Sequence, residues 1–206
     1  MNNQGILVVV SGFSGAGKGT LMNALLKNYH NYALSISATT RAPRTGETEG
    51  KEYFFVTKEH FEEMIDQEEL IEYANYVNHF YGTPKQYVFQ QMAEGKDVIL
   101  EIEIQGALKI KERFPKALLL FVSPPTADEL KLRLMRRGTE SPEVIDARLH
   151  RASEESAGMS SYDYLLINDD IDTCVEKMHH LIQGQHNKVS SNLDFIEQMK
   201  QELKKF

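Results

Sequence analysis

Near the start of the chain stand five consecutive apolar residues, Ile6-Leu7-Val8-Val9-Val10, rich in β-branched side chains. A short continuous run of this kind suits a strand whose sheet is covered on both faces, as parallel sheets are. Runs of the same character recur at residues 98–104, 117–122 and 164–167. Between them the apolar positions take helical spacing, over residues 20–29, 105–114, 128–137, 142–156 and 171–182. Strands alternating with helices of this length predict an α/β layer fold around a mostly parallel central sheet.

Two stretches interrupt the alternation. Residues 34–83 hold Pro43, Gly46 and Gly50, then strand-like runs at 53–56 and 70–77 with one short helix near 60–66, and read as a small strand-rich insertion. Residues 126–157 are helical and arginine-loaded, with a Gly138-Thr139-Glu140-Ser141-Pro142 turn in the middle. At the end of the chain Leu193, Ile196, Met199, Leu203 and Phe206 fall on one helical stripe. The stripe suits packing on the protein's own core, the preferred reading, or pairing with another subunit to give a homodimer or higher homo-oligomer.

Composition narrows the classes. The 206 residues are 41% hydrophobic and 26% charged, ordinary values for a globular chain. No apolar run approaches the ~18 residues needed to span a bilayer. The opening Met-Asn-Asn-Gln-Gly lacks the charged segment of a signal peptide, and a lone Cys174 fits a reducing compartment. A cytoplasmic protein with no membrane partner is expected. The formal charge is −7, yet seven of the eight arginines fall in two clusters: Arg41 and Arg44, then Arg133, Arg136, Arg137, Arg148 and Arg151. Duplex DNA calls for a broad basic face. Clustered arginines on an acidic chain instead suit a small anion, since the guanidinium fork matches phosphate, and no nucleic-acid partner is expected.

Directly after the first predicted strand comes Gly12-Phe13-Ser14-Gly15-Ala16-Gly17-Lys18-Gly19-Thr20, ahead of a helical pattern. Gly12, Gly17 and Lys18 satisfy the core of the phosphate-binding loop, in which backbone N–H groups and the helix N-terminus cradle phosphates. Lys18 can reach the outer phosphates. The magnesium-binding hydroxyl is displaced, with Gly19 in the usual position and Thr20 one residue later. The spacing points to a nucleoside triphosphate.

Arg41 and Arg44, three apart in a Pro-containing loop, can converge on one phosphate or lie solvated at the surface. Tyr53 and Tyr81 can add hydroxyls, Glu72 sits in a strand-like run, and Ser37 and Thr83 bracket the segment. A carboxylate that accepts from N1–H and N2–H₂, beside a hydroxyl that donates to O6, matches guanine. Adenine lacks that donor pair and would leave the carboxylate unpaired.

The chain resembles guanylate kinase in residues 12–20, Ser37-x-x-Thr40-Arg41-x-Pro43-Arg44-x-Gly46-Glu47, Gly50-x-x-Tyr53-x-Phe55, Tyr81-Gly82-Thr83-Pro84, Glu101-Ile102-Glu103-Ile104-Gln105-Gly106 and Arg137-Gly138-Thr139-Glu140, in order across about residues 5–170. The resemblance implies a P-loop three-layer fold. Its nucleotide-binding core would be residues 1–33, 96–125 and 158–190, with a GMP-binding region at 34–95, a helical lid at 126–157 and a C-terminal helix at 191–206. It implies magnesium-dependent transfer of the ATP γ-phosphoryl group to GMP, and to dGMP, for purine nucleotide supply. By position, Gly12, Phe13, Ser14, Gly15, Ala16, Gly17, Lys18, Gly19 and Thr20 would bind ATP, with Thr20 the magnesium ligand. Asn168 would contact adenine or else cap the helix from Ile171. Arg41, Arg44, Tyr53 and Tyr81 would hold the GMP phosphate; Ser37, Glu72 and Thr83 would read guanine. Glu103 would face GMP and Glu101 the phosphate–metal region, directly or through water; the family's commoner residue there is aspartate. Two apart in the predicted strand 98–104, they would share one face.

An ionised phosphate nucleophile needs no general base, and catalysis should rest on alignment and charge neutralisation. Lys18, Arg41, Arg133, Arg137 and Arg148 are the expected catalytic cations. Arg136 and Arg151 find no family match and are expected in solvent, as are His179, His180 and His186. Cys174 is expected to be a buried structural thiol. Two other readings exist: a guanylate-kinase-like interaction module without chemistry, disfavoured by the retained Lys18 and lid arginines, and another nucleoside monophosphate kinase, disfavoured by Ser37, Glu72 and Thr83.

Overall fold

The computed structural model describes residues 4–76, 78–136 and 141–206. The first apolar run forms β1 (Leu7–Gly12), followed by α1 (Lys18–Asn28) and a short β2 (Tyr32–Leu34). Then come β3 (Ser37–Thr39), β4 (Tyr53–Phe55), α2 (Lys58–Asp66), β5 (Leu70–Tyr76), β6 (His79–Pro84) and α3 (Lys85–Ala93). The chain continues through β7 (Asp97–Glu101), α4 (Ile104–Arg113), β8 (Leu118–Ser123), α5 (Ala127–Arg136), α6 (Pro142–Ser156), β9 (Tyr164–Ile167), α7 (Ile171–His186) and α8 (Leu193–Leu203).

The central sheet has the order β2-β7-β1-β8-β9, and every pairing in it is parallel. Successive side chains of β1 point to opposite faces. Val8 and Val10 join one apolar layer with Leu21, Leu25, Val175 and Met178; Leu7 and Val9 join the other with Val88, Leu100, Ala107 and Ile110. Val8, Val9 and Val10 are fully buried. Each such side chain stabilises the fold by about 1.5–3 kcal/mol relative to an exposed position. This is the three-layer α/β architecture that the alternation predicts.

Strand order places both neighbours of β1 on different chain excursions, β7 on one side and β8 on the other, so the chain switches direction across β1. Ligand crevices in open α/β sheets lie at the carboxyl ends of strands beside such a switch. The loop after β1 leaves from that end.

Residues 34–83 build a second, smaller sheet of order β4-β3-β6-β5, with β3 antiparallel to β6 and β6 to β5. Its own cluster comprises Ala38, Phe61, Met64 and Leu70, with Phe54 and Phe80 against it. Two of its strands, β3 and β6, escape the periodicity because three residues and a Gly-Thr-Pro sequence carry too little apolar alternation.

Three expectations change. The strand expected over 98–104 ends at Glu101, and Glu103 is the N-cap of α4. Pairing runs out there: β2 last meets β7 at Ile99, and β1 turns into its loop beyond Gly12. Glu101 and Glu103 therefore do not share one strand face. His179 and His186 are half-buried rather than solvated: the Tyr32 hydroxyl hydrogen-bonds His179 Nδ1 at 2.7 Å, and His186 Nε2 lies 2.8 Å from Oδ1 of buried Asp97. Burial pushes the Tyr32 pKa up to about 12. Finally, α8 does not pack on the core. Leu193, Phe195, Leu203 and Phe206 are exposed, and a groove of about 1570 Å³ opens between α8 and the core around Phe114, His186 and Phe195. Cys174 is buried, as expected, and burial pushes its thiol pKa up.

Candidate active site

The loop after β1 is set by close backbone contacts. A Cβ on Gly12 would lie 2.2 Å from the Val122 carbonyl oxygen, and one on Gly17 would lie 2.6 Å from Asn168 Nδ2. Gly17 also has φ +90°, a left-handed conformation that side chains disfavour. Ahead of α1 there is no side-chain cap and no acidic residue in the first turn. Its leading N–H groups and the positive end of its dipole thus face the loop, as an anion site requires.

Lys18 donates from Nζ to the carbonyls of Gly12 at 2.8 Å and Phe13 at 3.3 Å, so its ammonium lies inside the loop. Phe13 and Ala16 contribute backbone only: the Phe13 ring is buried edge-on to Phe121, and Ala16 is fully buried. Thr20 is exposed on the first turn of α1, and Glu101 is exposed where β7 ends.

Asn168 follows β9 and is almost fully buried; its Nδ2 donates to the Ala16 carbonyl at 2.8 Å. It is not the cap of α7, a task performed by Asp170, which accepts from Thr173 N. The structure thus puts the Asn168 side chain directly beneath the loop.

The arginine-rich helices reach the same loop. Arg148 on α6 donates to the Ser14 hydroxyl at 2.5 Å. Arg133 on α5 donates through Nε to Glu129 at 2.7 Å and through Nη1 to the Ala16 carbonyl at 3.4 Å. Arg137 lies outside the described residues. Arg136 and Arg151 are exposed as expected, and Arg151 also pairs with Glu103 at 2.8 Å and Glu155 at 2.9 Å. Glu103 therefore points its carboxylate at α6.

The small sheet supplies the second group. Arg41 follows β3 and gives Nη1 and Nη2 to the two oxygens of Glu47, at 2.9 and 2.8 Å. Its guanidinium carbon stands 5.3 Å from the Tyr53 ring centre and 5.9 Å from that of Phe55. Tyr53 and Tyr81 meet edge-on at 6.0 Å. The Glu47 hydrogen bond, with a smaller contribution from Tyr81, pushes the Arg41 pKa up; Arg41 and the Arg44 amide hold the Glu47 carboxylate below its usual range. The Arg44 side chain is exposed.

Deeper in the same sheet, Thr83 is fully buried and its hydroxyl donates to Glu72 Oε1 at 2.7 Å. Burial raises the Glu72 pKa, with the Thr83 hydrogen bond opposing. Ser37 is half-buried at the start of β3.

Two cationic groups are thus gathered, one on the loop after β1 and one on the small sheet. The guanylate kinase family model matches residues 4–185. The chain belongs to the guanylate kinase family. It is 47% identical over 202 residues to the guanylate kinase of Caldanaerobacter subterraneus subsp. tengcongensis, covering 98% of each chain. It is 49% identical over 185 residues to that of Halalkalibacterium halodurans, covering 90% of this chain and 91% of the other. The crystal structure of guanylate kinase from Anaplasma phagocytophilum superposes with a TM-score of 0.69 at 32% identity, over 90% of this chain and 88% of that one.

Within this guanylate kinase fold, Lys18, Ser14, Arg133, Arg148 and Asn168 converge on the loop, Arg41 with Tyr53 and Tyr81 forms a second group, and Glu72 with Thr83 a third. Sequence reasoning left two residues without a role that the geometry supplies. Arg151 joins α6 to Glu103, a pairing across 48 residues that spacing does not reveal. Glu47 occupies the Arg41 fork; the signal is an acid six residues on, directly after Gly46 at φ +92°.

Proposed function

We propose that the protein transfers the γ-phosphoryl group of ATP to GMP, giving ADP and GDP, and that it accepts dGMP as well. The observation that carries the reading is the Glu72–Thr83 pair, a half-buried carboxylate oriented by a buried hydroxyl on the sheet that also presents Arg41. Because the Thr83 hydroxyl donates its hydrogen bond to Glu72, the carboxylate is held for the two guanine donors, and Ser37 is left to donate to O6. Arg41, Arg44, Tyr53 and Tyr81 would take the GMP phosphate.

On the donor side, the P-loop amides and Lys18 hold the ATP phosphates, with Arg133, Arg137 and Arg148 closing over the transferring group. The GMP phosphate oxygen is ionised and attacks in line without a general base. The hydroxyl of Thr20 and the carboxylate of Glu101 are hard oxygen donors of the kind magnesium takes alongside waters and phosphate oxygens. Bound there, magnesium would neutralise charge on the outer phosphates. Residues 34–95 and the lid at 126–157 would move inward on ligand binding and exclude water. Such an enzyme recycles GMP and supplies purine nucleotides.

A coupled assay with ATP, with and without magnesium, and each of GMP, dGMP, AMP, CMP and UMP tests the reading. Magnesium-dependent turnover with GMP and dGMP alone is expected; faster turnover with AMP, or none with GMP, would overturn it.

A further inference from the structure

On the acceptor side, the Arg41 fork holds a carboxylate to which neither base nor phosphate falls. Glu47 accepts from Arg41 Nη1 at 2.9 Å, Arg41 Nη2 at 2.8 Å and the Arg44 backbone amide at 2.7 Å. Arg41 Nη1 also donates to the Ala42 carbonyl at 2.7 Å. A guanidinium has five N–H donors in a fixed plane. These bonds take the Nη1–Nη2 end; Nε–H and the second Nη2–H form a parallel pair on one edge, and the Tyr81 hydroxyl also hydrogen-bonds the guanidinium. The plane is fixed too, by the rings of Tyr53 and Phe55. Only 12% of the Arg41 side chain and 18% of the Glu47 side chain are exposed.

We propose that Glu47 is the positioning residue of the acceptor-phosphate subsite, holding the Arg41 fork end-on and the Arg44 main chain so that the Nε–Nη2 edge of Arg41 meets the phosphate dianion. The proposal rests on the kinase reading above. Glu47 is a template and stays in place when phosphate arrives: the Glu47 amide closes a turn on the Arg44 carbonyl at 3.0 Å, so the carboxylate is tethered on both sides of the loop. A mere placeholder anion would compete with phosphate, and its removal would tighten GMP binding. A template does the reverse.

The two are separated by steady-state kinetics of wild type, Glu47→Gln and Glu47→Asp, varying GMP at saturating ATP and then ATP at saturating GMP. Glu47→Gln is expected to raise the GMP KM about tenfold or more, the scale of charge-assisted hydrogen bonds, with kcat and the ATP KM within about threefold of wild type. Glu47→Asp keeps the charge and is expected to recover part of the loss. In an Arg41→Lys background, which lacks the fork, Glu47→Gln should add little further. An unchanged or lowered GMP KM overturns the proposal, as does a parallel loss in kcat and both KM values. Failure of the wild type to phosphorylate GMP overturns the kinase reading instead. Calorimetric titration of wild type and Glu47→Gln with GMP then still decides, equal affinities counting against Glu47.

Discussion

The arginines on the two sides of the crevice are held in different ways. Arg41 is clamped by both oxygens of a carboxylate and walled by two rings. Arg148 donates to the neutral Ser14 hydroxyl, and Arg133, held at Nε by Glu129 at 2.7 Å, reaches the loop itself through a 3.4 Å bond to a carbonyl. Hydrogen bonds between ionised partners are roughly twice as strong as neutral ones. The acceptor arginine is thus clamped through both Nη atoms at once, whereas Arg133 and Arg148 touch the loop itself through neutral groups that phosphate oxygens can replace at small cost. Under the proposed reaction the difference suits two tasks: one side would recognise a ground-state dianion, the other would follow charge as it moves to the transition state.

Kinetics can break that division. The largest effect is expected from Lys18→Ala, which removes the ammonium from within the loop and should lower kcat by about a thousandfold or more. Arg148→Ala should cost about a hundredfold in kcat with little change in the GMP KM, because its charge is needed when the phosphoryl group transfers. Arg44→Ala should do the opposite, raising the GMP KM about tenfold and sparing kcat. If Arg148→Ala instead raised the GMP KM and left kcat intact, the two sides would not differ in the way their partners imply.

A third test reads the acceptor side through pH. Burial raises the Glu72 pKa, so this carboxylate takes up a proton at higher pH than an ordinary glutamate. The protonated form cannot accept from both guanine donors. GMP affinity should be full above the raised pKa and fall as pH drops through it, while the ATP KM stays flat over that window. Folding has the opposite sign: a raised folded-state pKa stabilises the protonated form, so this contribution is present at low pH and lost as pH rises through the folded value. Weakening of GMP binding on acidification, without loss of fold, isolates recognition. Calorimetric GMP titrations from neutral to mildly acidic pH, repeated with Glu72→Gln, should show the dependence only in wild type.

Much of this was legible from residue order because the physics is local. A covered parallel strand must be continuously apolar, and a loop that wraps phosphate must have glycine where an added Cβ would fall 2.2 Å from a neighbouring carbonyl oxygen, as at Gly12. The arginine clusters and the Glu72–Thr83 pair could be named the same way, each being a residue type demanded by a ligand. What escaped was set by tertiary partners. The end of β7 depends on where β2 and β1 stop, and so decides that Glu103 caps α4 and meets Arg151. The α8 stripe is amphipathic in sequence, but amphipathicity states only that a face can be covered, and here the core does not cover it.

The smallest expected effect concerns the position where this P-loop departs from the common pattern. Nothing lies within 4 Å of a Cβ built on Gly19, in contrast to the crowded Gly12 and Gly17 of the same loop. Gly19 also lies in the first turn of α1, where glycine is a weaker helix former than serine by about half a kcal/mol. Gly19→Ser should therefore fold with unchanged or slightly raised Tm and keep kcat within about threefold of wild type. Its use is as a partner to Thr20→Ala. If one hydroxyl on this turn is all that a metal ion needs, Gly19→Ser should restore much of the activity that Thr20→Ala loses, read as kcat against magnesium concentration. If it restores none, the hydroxyl must come from Thr20 itself, and the donor side would be as tightly positioned as the Arg41 clamp opposite.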